Sequence, residues 1–308
     1  MYHIIYNPRS RTGQGRAIWL QVQKKLMQKG VLYCAYQTSC RGDACRIAKR
    51  LTGPDWDEKQ DVLVVIGGDG TVNETLNGIQ KLSRVKFGYI PTGSGNDFAR
   101  GTGISTDPVK ALQAIMEPGK SVLMDIGYTQ VGKKKRRFAI SSGLGYDAAI
   151  CHEALSSRIK EALNRMHLGK LTYVIIAVRQ LFFSEVVEME IRVDGMTDHH
   201  YDKVLFAVAM NLPYEGGGCM FAPGASCEDG RLDLMVVDGI SPWKVLLLLP
   251  LALKGKHTGF SEIHMNRGQR IQVIAKKAKA VHLDGESGGY QRKLVWGLEK
   301  ERLQLLHE

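Results

Sequence analysis

The chain has 308 residues, 44% of them hydrophobic, which is enough for two domains each burying a core of its own. Its net charge of +11 favours an anionic partner, such as nucleic acid, a phosphorylated ligand or an acidic membrane surface; neither zinc-finger spacing nor an aromatic and basic ribonucleoprotein signature is present, so no nucleic-acid partner is expected. Six scattered cysteines without a Cys-x-x-Cys pair, and an opening strand in place of a signal peptide, fit a reducing cytoplasm.

Over the first 125 or so residues strand and helix patterns alternate. Strands fit 2–7, 31–38, 62–66, 87–90 and 121–126, and helices fit 14–28, 43–51, 72–81 and 107–116. This alternation predicts a mostly parallel sheet covered on both faces, with ligands beyond the carboxyl ends of its strands. The first strand exits into Asn7-Pro8-Arg9-Ser10-Arg11-Thr12-Gly13-Gln14-Gly15, a small, polar and basic turn that lacks Walker spacing. Thr38 ends the second strand, its hydroxyl placed either for a nucleotide or for a helix cap.

The third strand empties into Gly67-Gly68-Asp69-Gly70-Thr71. Its glycines let backbone N–H groups face phosphate oxygens, a helix from Val72 adds its positive end, and Asp69 is free to hold Mg²⁺. The fourth answers with Pro91-Thr92-Gly93-Ser94-Gly95-Asn96-Asp97 and a second carboxylate. Either turn alone could be ordinary; two phosphate cradles, each with an Asp, point to a kinase.

From about Arg137 the pattern changes: a helical block over 148–181 precedes longer strands at 187–193, 204–210, 232–237, 270–275, 280–283 and 293–298. Apolar and charged residues alternate strictly over 187–193, which predicts an antiparallel sheet with one wet face. The expected organisation is an α/β domain over 1–128, a β-rich domain over 129–298, and a tail at 299–308 that packs back on the first. The run from Lys133 to Arg137 reads as a hairpin tip, either a solvated loop or a contact with anionic lipid. The apolar run 245–253 is too short to span a bilayer and contains Pro250, so it reads as a buried core helix or an interfacial one. Late in the chain, Asp284-Gly285-Glu286 would on an extended strand turn both carboxylates to one side and suit a general base; the bland reading is an Asp-Gly turn. Gly143-Leu144-Gly145-Tyr146-Asp147-Ala148 matches Gly-x-Gly-x-x-Ala, but without the strand and acidic residue a dinucleotide fold needs it reads as a tight turn. His199-His200 and Cys151-His152 lack metal-ligand spacing.

The turns at Gly67 to Glu74, Pro91 to Arg100 and Asp284 to Glu286 resemble the diacylglycerol kinase catalytic-domain family, nearest to its soluble bacterial lipid kinases. Asn7-Pro8, Met124-Asp125-Ile126-Gly127, Gly143 to Ala148, Gly216-Gly217-Gly218 with Ala222-Pro223, and Asp229-Gly230-Arg231-Leu232-Asp233 follow the same order, so the resemblance covers nearly the whole chain. It implies an N-terminal doubly wound nucleotide-binding domain, a C-terminal antiparallel β-sandwich-like domain with helices, and ATP- and Mg²⁺-dependent phosphorylation of diacylglycerol to phosphatidic acid. ATP would lie against Asn7, Arg9, Ser10, Arg11, Thr38, Gly67, Gly68, Asp69, Gly70, Thr71, Val72, Asn73, Thr92, Gly93 and Ser94. Asp69 and Asp97 would manage the catalytic Mg²⁺, and Glu286 with Asp284 would supply the base. A second, structural Mg²⁺ would sit at the Asp229 side chain with the carbonyls of Ser226 and Arg231. Arg9 and Arg11 stand where relatives often carry Ser-Gly-Lys-like residues. The implied partner is a lipid at an anionic membrane surface, met by a cytoplasmic protein that associates peripherally; the sequence does not choose between a monomer and a homodimer. Within the class, a sphingoid base, ceramide or monoacylglycerol is the alternative acceptor. An NAD kinase shares only the first turn, and a non-catalytic regulator would be expected to have lost a carboxylate.

Overall fold

The computed structural model describes residues 1–156 and 178–307. The stretch 157–177 of the predicted helical block lies outside the described residues.

Two sheets organise the chain. The first has the order β2-β1-β3-β4-β15-β5, built from β1 (Tyr2–Tyr6), β2 (Tyr33–Gln37), β3 (Val62–Gly67), β4 (Lys86–Pro91), β5 (Lys120–Met124) and β15 (Leu303–His307). β3 is buried along its whole length, as an uninterrupted apolar run in a doubly covered parallel sheet should be. Its neighbours β1 and β4 are both parallel to it, and β15 enters parallel to β4 and antiparallel to β5. This C-terminal strand completes the sheet, where the sequence shows only a short alternation too brief to mark it.

Helices cover both faces of that sheet. After the short α1 (Ser10–Gly13), α2 (Gly15–Gln28) buries Trp19, Val22 and Leu26 along one stripe. α3 (Asp43–Leu51) and α4 (Asp69–Gly78) pack side by side. α5 (Asp97–Thr102) is short, and α6 (Pro108–Met116) starts with Pro at its first position and the Asp107 carboxylate accepting from Val109 N and Lys110 N. α4 begins three residues earlier than the sequence pattern suggests, because Gly68 is the N-cap and places Asp69 and Gly70 in the first helical turn.

The second sheet is antiparallel, ordered β12-β11-β10-β8-β13-β14-β6-β7, with β9 pairing β10 and β13. Its strands are β6 (Gly127–Val131), β7 (Lys134–Phe138), β8 (Ser141–Gly145), β9 (Val187–Val193), β10 (Thr197–Met210), β11 (Leu232–Asp238), β12 (Ile263–Gly268), β13 (Arg270–Leu283) and β14 (Glu286–Leu298). α7 (Tyr146–Ser156) follows β8 without a loop, and α8 (Pro242–Ala252) lies between β11 and β12. β13 is one strand where the pattern suggests two; the register shifts between Ile274 and Lys279, where lysines interrupt the alternation.

Two expectations are corrected here. The basic run is not a loop: Lys134 to Arg137 lie in edge strand β7, and the hairpin tip is at Gly132 (φ 57°). Arg137 donates to Leu76 O at 2.8 Å and Ile79 O at 2.6 Å, Arg136 to Ser287 O at 2.8 Å, and Lys135 pairs with Glu299 at 2.7 Å, so these cations are committed within the chain. Asp284 and Glu286 do not share one face of an extended strand either. Asp284 (φ 49°) and Gly285 (φ 80°) form the two-residue turn between β13 and β14, with Leu283 paired to Glu286, as a type I′ hairpin requires. No helix among the described residues is long and apolar enough to cross a membrane.

Candidate active site

The carboxyl ends of β1, β2, β3 and β4 open on a cavity of about 530 Å³, a size suited to a nucleotide. Asn7, Arg9, Ser10 and Arg11 line it from the first exit, Thr38 from the second, Gly68 to Thr71 from the third and Gly93 to Gly95 from the fourth, with Glu286 arriving from the other sheet. Side chains tie these exits to one another. Asn7 Nδ2 donates to Thr71 Oγ1 at 3.4 Å, and Ser10 Oγ lies 2.6 Å from Thr92 Oγ1. The two glycine turns touch through their backbones: a Cβ on Gly93 would stand 2.9 Å from Gly68 Cα. Asn96, in the left-handed region at φ 53°, accepts from Gly93 N at 2.8 Å and closes the fourth exit.

Four of the residues expected on the nucleotide are not on the cavity wall. Val72 is in the core with its N–H donated to Gly68 O, and Gly67 O is taken by Thr92 N at 2.7 Å and the Tyr89 hydroxyl at 3.1 Å. Thr92 is fully buried, and Asn73 turns the other way, toward Asp284. In their place the wall includes Ser39, Cys40 and Arg41, which follow Thr38 on the same turn, and Glu74, one helical turn beyond Gly70. Arg41 forms an ion pair with Glu286 across the cavity mouth. Nothing in the local pattern marks Arg41, since its partner is 245 positions away.

Asp69 and Asp97 converge. A Cβ on Gly95 would lie 3.3 Å from Asp69 Oδ2 and 3.6 Å from Asp97 Oδ2, so only glycine leaves the space between them open. Asp69 accepts from Asp97 N and Phe98 N, both at 3.2 Å, and Asp97 accepts from Gly217 N at 2.7 Å and pairs with Arg100 at 2.5 Å. Burial, reinforced by the Asp97 charge, pushes the Asp69 carboxyl up to about 6; burial also raises Asp97, against the Gly217 N–H and Arg100. Two buried carboxylates whose repulsion is only partly offset are a fitting donor set for a divalent cation. Glu286 completes the constellation, its Oε1 3.0 Å from where a Cβ on Gly70 would be.

Asp284 plays a different part from the one expected. Its carboxylate accepts from Asn73 Nδ2, Ala139 N and Ile140 N at 2.8 Å each and from Ser141 N at 3.0 Å. With its oxygens saturated and its side chain buried, it holds the turn that presents Glu286 and has no lone pair to spare as a base.

Behind the turn lies a buried polar knot that the sequence pattern did not reveal. His282 Nε2 is 3.0 Å from both Asp147 Oδ2 and Glu215 Oε1, and its Nδ1 accepts from Gly285 N at 3.3 Å. Glu215 and Cys219 exchange backbone hydrogen bonds of 2.9 Å around Gly216, Gly217 and Gly218, the turn whose middle N–H holds Asp97.

Residues 1–128 match the diacylglycerol kinase catalytic domain family, and residues 145–296 match the YegS C-terminal NAD kinase beta sandwich-like domain. A diacylglycerol kinase of Bacillus subtilis is 31% identical over 292 residues, covering 93% of this chain and 89% of its own. The chain belongs to the diacylglycerol kinase family. As a member it is a lipid kinase, a phosphotransferase whose acceptor is an alcohol. Its fold is that of a Bacillus anthracis crystal structure described as a candidate diacylglycerol kinase, 23% identical with a TM-score of 0.77, covering 100% of this chain and 97% of that one. An NAD kinase from Archaeoglobus fulgidus, solved in complex with ATP, shares the architecture at a TM-score of 0.51 and 13% identity, over 99% of this chain and 93% of that one.

At the place of the structural Mg²⁺ that the family resemblance implied, the Asp229 carboxylate is engaged within the chain. Asp229 Oδ1 accepts from Arg231 N at 3.0 Å, and its Oδ2 is paired with the Arg267 guanidinium, which also reaches Asp233 at 3.1 Å. A cation at Asp229 would take the place of the Arg267 guanidinium, which is 43% exposed and free to turn outward.

Proposed function

We propose that the cavity binds ATP with Mg²⁺ and that the γ-phosphoryl group passes to the hydroxyl of diacylglycerol at a membrane surface, giving phosphatidic acid. The observation that carries this reading is a glycine-lined cavity whose wall carries Asp69 and Glu286, with Asp97 converging on Asp69 at Gly95. The first turn of α4 presents the Asp69 and Gly70 amides there, and the helix's positive end favours phosphate. Arg9, Arg11 and Arg41 place positive charge around the same opening.

Phosphoryl transfer asks the protein mainly for position and charge neutralisation. Asp69 and Asp97 would hold Mg²⁺, which neutralises charge on the phosphates. Glu286 is the one carboxylate facing the cavity that is not locked by backbone donors, and it is the group suited to accept the acceptor alcohol's proton, worth about 10²–10⁴ in rate. When polyphosphate draws Arg41 away, Glu286 is freed from its ion pair. The C-terminal sheet thus delivers the base, while the N-terminal sheet delivers the nucleotide.

The test is ATP consumption with Mg²⁺ against diacylglycerol, monoacylglycerol, ceramide, sphingosine and NAD in mixed micelles, with the product identified by mass. Phosphatidic acid from diacylglycerol is the expected outcome. Phosphorylation of NAD alone would overturn the reading.

A further inference from the structure

α8 is apolar nearly all round, yet only Leu248 and Ala252 are buried. Trp243 is 72% exposed and Leu247 74% exposed, and with Pro250 and Lys254 they fall on one face at helical spacing. The helical stretch 178–183 extends this surface: Phe182 meets Trp243 edge-on at 5.1 Å, and Phe183 is 82% exposed. Leu181 and Leu248 share one core cluster beneath, so the two segments form a continuous platform.

We propose that this platform docks on the surface of an anionic lipid bilayer, with the α8 rings and leucines in the acyl boundary. The charge of its α8 half favours that partner, and beside the 178–183 half Glu153 and Glu185 are paired with Arg179 and Lys277. From 241 to 261 there is no acidic residue, while Lys254 and Lys256 are exposed beside the apolar face. An apolar helix face with an interfacial Trp and flanking lysines is how a protein lies on, without crossing, a negatively charged membrane. A second copy is a poorer occupant, because a two-fold contact would bring the same lysines against each other. The basic edge of β7 is the weaker candidate, since Lys135, Arg136 and Arg137 are committed within the chain and no apolar face adjoins its exposed Lys134.

The position of the platform gives it meaning, and here the inference rests on the lipid-kinase reading. Phe183 also lines a second cavity, about 450 Å³, between α7 and the β13–β14 hairpin. Tyr290 lines the same cavity, on the strand that begins at Glu286. The docked face therefore borders a cavity that shares strand β14 with Glu286.

Flotation with vesicles of phosphatidylcholine, with and without phosphatidylglycerol, tests the proposal directly. The full chain is expected to float with anionic vesicles, and W243E/L247E, both at exposed positions, to bind at least about tenfold more weakly. K254E/K256E should weaken binding at low salt, with the difference shrinking at high salt. Unchanged flotation of W243E/L247E, or no flotation of the parent chain, overturns the proposal, as does light scattering that shows the substitution splitting a dimer. A parallel assay separates the two readings: phosphorylation of a dispersed short-chain lipid alcohol without flotation leaves the kinase and removes the platform, whereas patch-dependent flotation with no lipid phosphorylated leaves the platform and removes the kinase.

Discussion

Asn73 Nδ2 donates to Asp284 Oδ2 at 2.8 Å, joining α4 beside the first sheet to the hairpin turn of the second across 211 positions of sequence. This bond and the three backbone donors on the same carboxylate make Asp284 the point where the two sheets are held in register for Glu286. Asp284→Ala strands three buried N–H groups and is expected to cost about 3 kcal/mol or more. Glu286→Gln, at the cavity wall, should lose turnover while its melting temperature stays within about 2 °C. Thermal melts beside steady-state rates decide it; Asp284→Ala with an unchanged melt and abolished turnover would return Asp284 to the chemistry.

Asp69 trades stability for function. Its folded pKa of about 6 lies above the ordinary 3.8, so its contribution to stability is fully present below pH 3.8 and lost as pH rises through 6. At pH 7 the ionised group therefore opposes folding. Asp69→Asn should stabilise the chain at pH 7 by about 1–2 kcal/mol, the relief of that charge less one backbone hydrogen bond, and the gain should vanish near pH 4. Mg²⁺ should raise the melting temperature of the parent chain at pH 7 and leave the variant unmoved, while phosphoryl transfer disappears. Urea unfolding at the two pH values checks the sign, and a variant less stable at pH 7 would contradict it.

Arg41 and Glu286 form an ion pair that the proposed nucleotide-binding mode would break. Arg41 is 65% exposed, so the pair contributes little to stability, about 0–1 kcal/mol. Arg41→Ala should leave the melt unchanged and lower kcat/KM for ATP by about tenfold or more through a lost phosphate contact, with Arg41→Lys recovering only part of it. An unaltered KM for ATP with the side chain removed would mean that Arg41 serves Glu286 alone.

What was legible in the sequence was local. The uninterrupted apolar run of β3, the helical stripe of α2 and the glycine turns announce themselves within a dozen residues, and the resemblance rests on those turns. What was not legible depends on distant partners. Asp284 reads as a candidate base because its four donors come from residues 73 and 139–141, which no spacing rule connects to it. The lysines at 276, 277 and 279 hide the continuity of β13, and a glycine at the cap of α4 hides its first turn. Asp229 likewise gives no local sign of its ion pair with Arg267, 38 positions on.

His282 is the last such case, and it separates position from chemistry. Its Nε2 steadies Glu215, hence the glycine turn whose Gly217 N–H holds Asp97, while its Nδ1 receives Gly285 N from the turn before Glu286. Gln keeps a donor near the Nε2 position and Asn keeps a polar group near the Nδ1 position. If the Nε2 arm matters through Asp97, His282→Asn should weaken Mg²⁺ dependence of the rate by about 10- to 100-fold, and His282→Gln should recover most of it. The Mg²⁺ concentration giving half-maximal rate is the measurement, taken beside the melting temperature of each variant. If both substitutions lower the melt equally and leave that concentration alone, the imidazole is packing and not a positioning group.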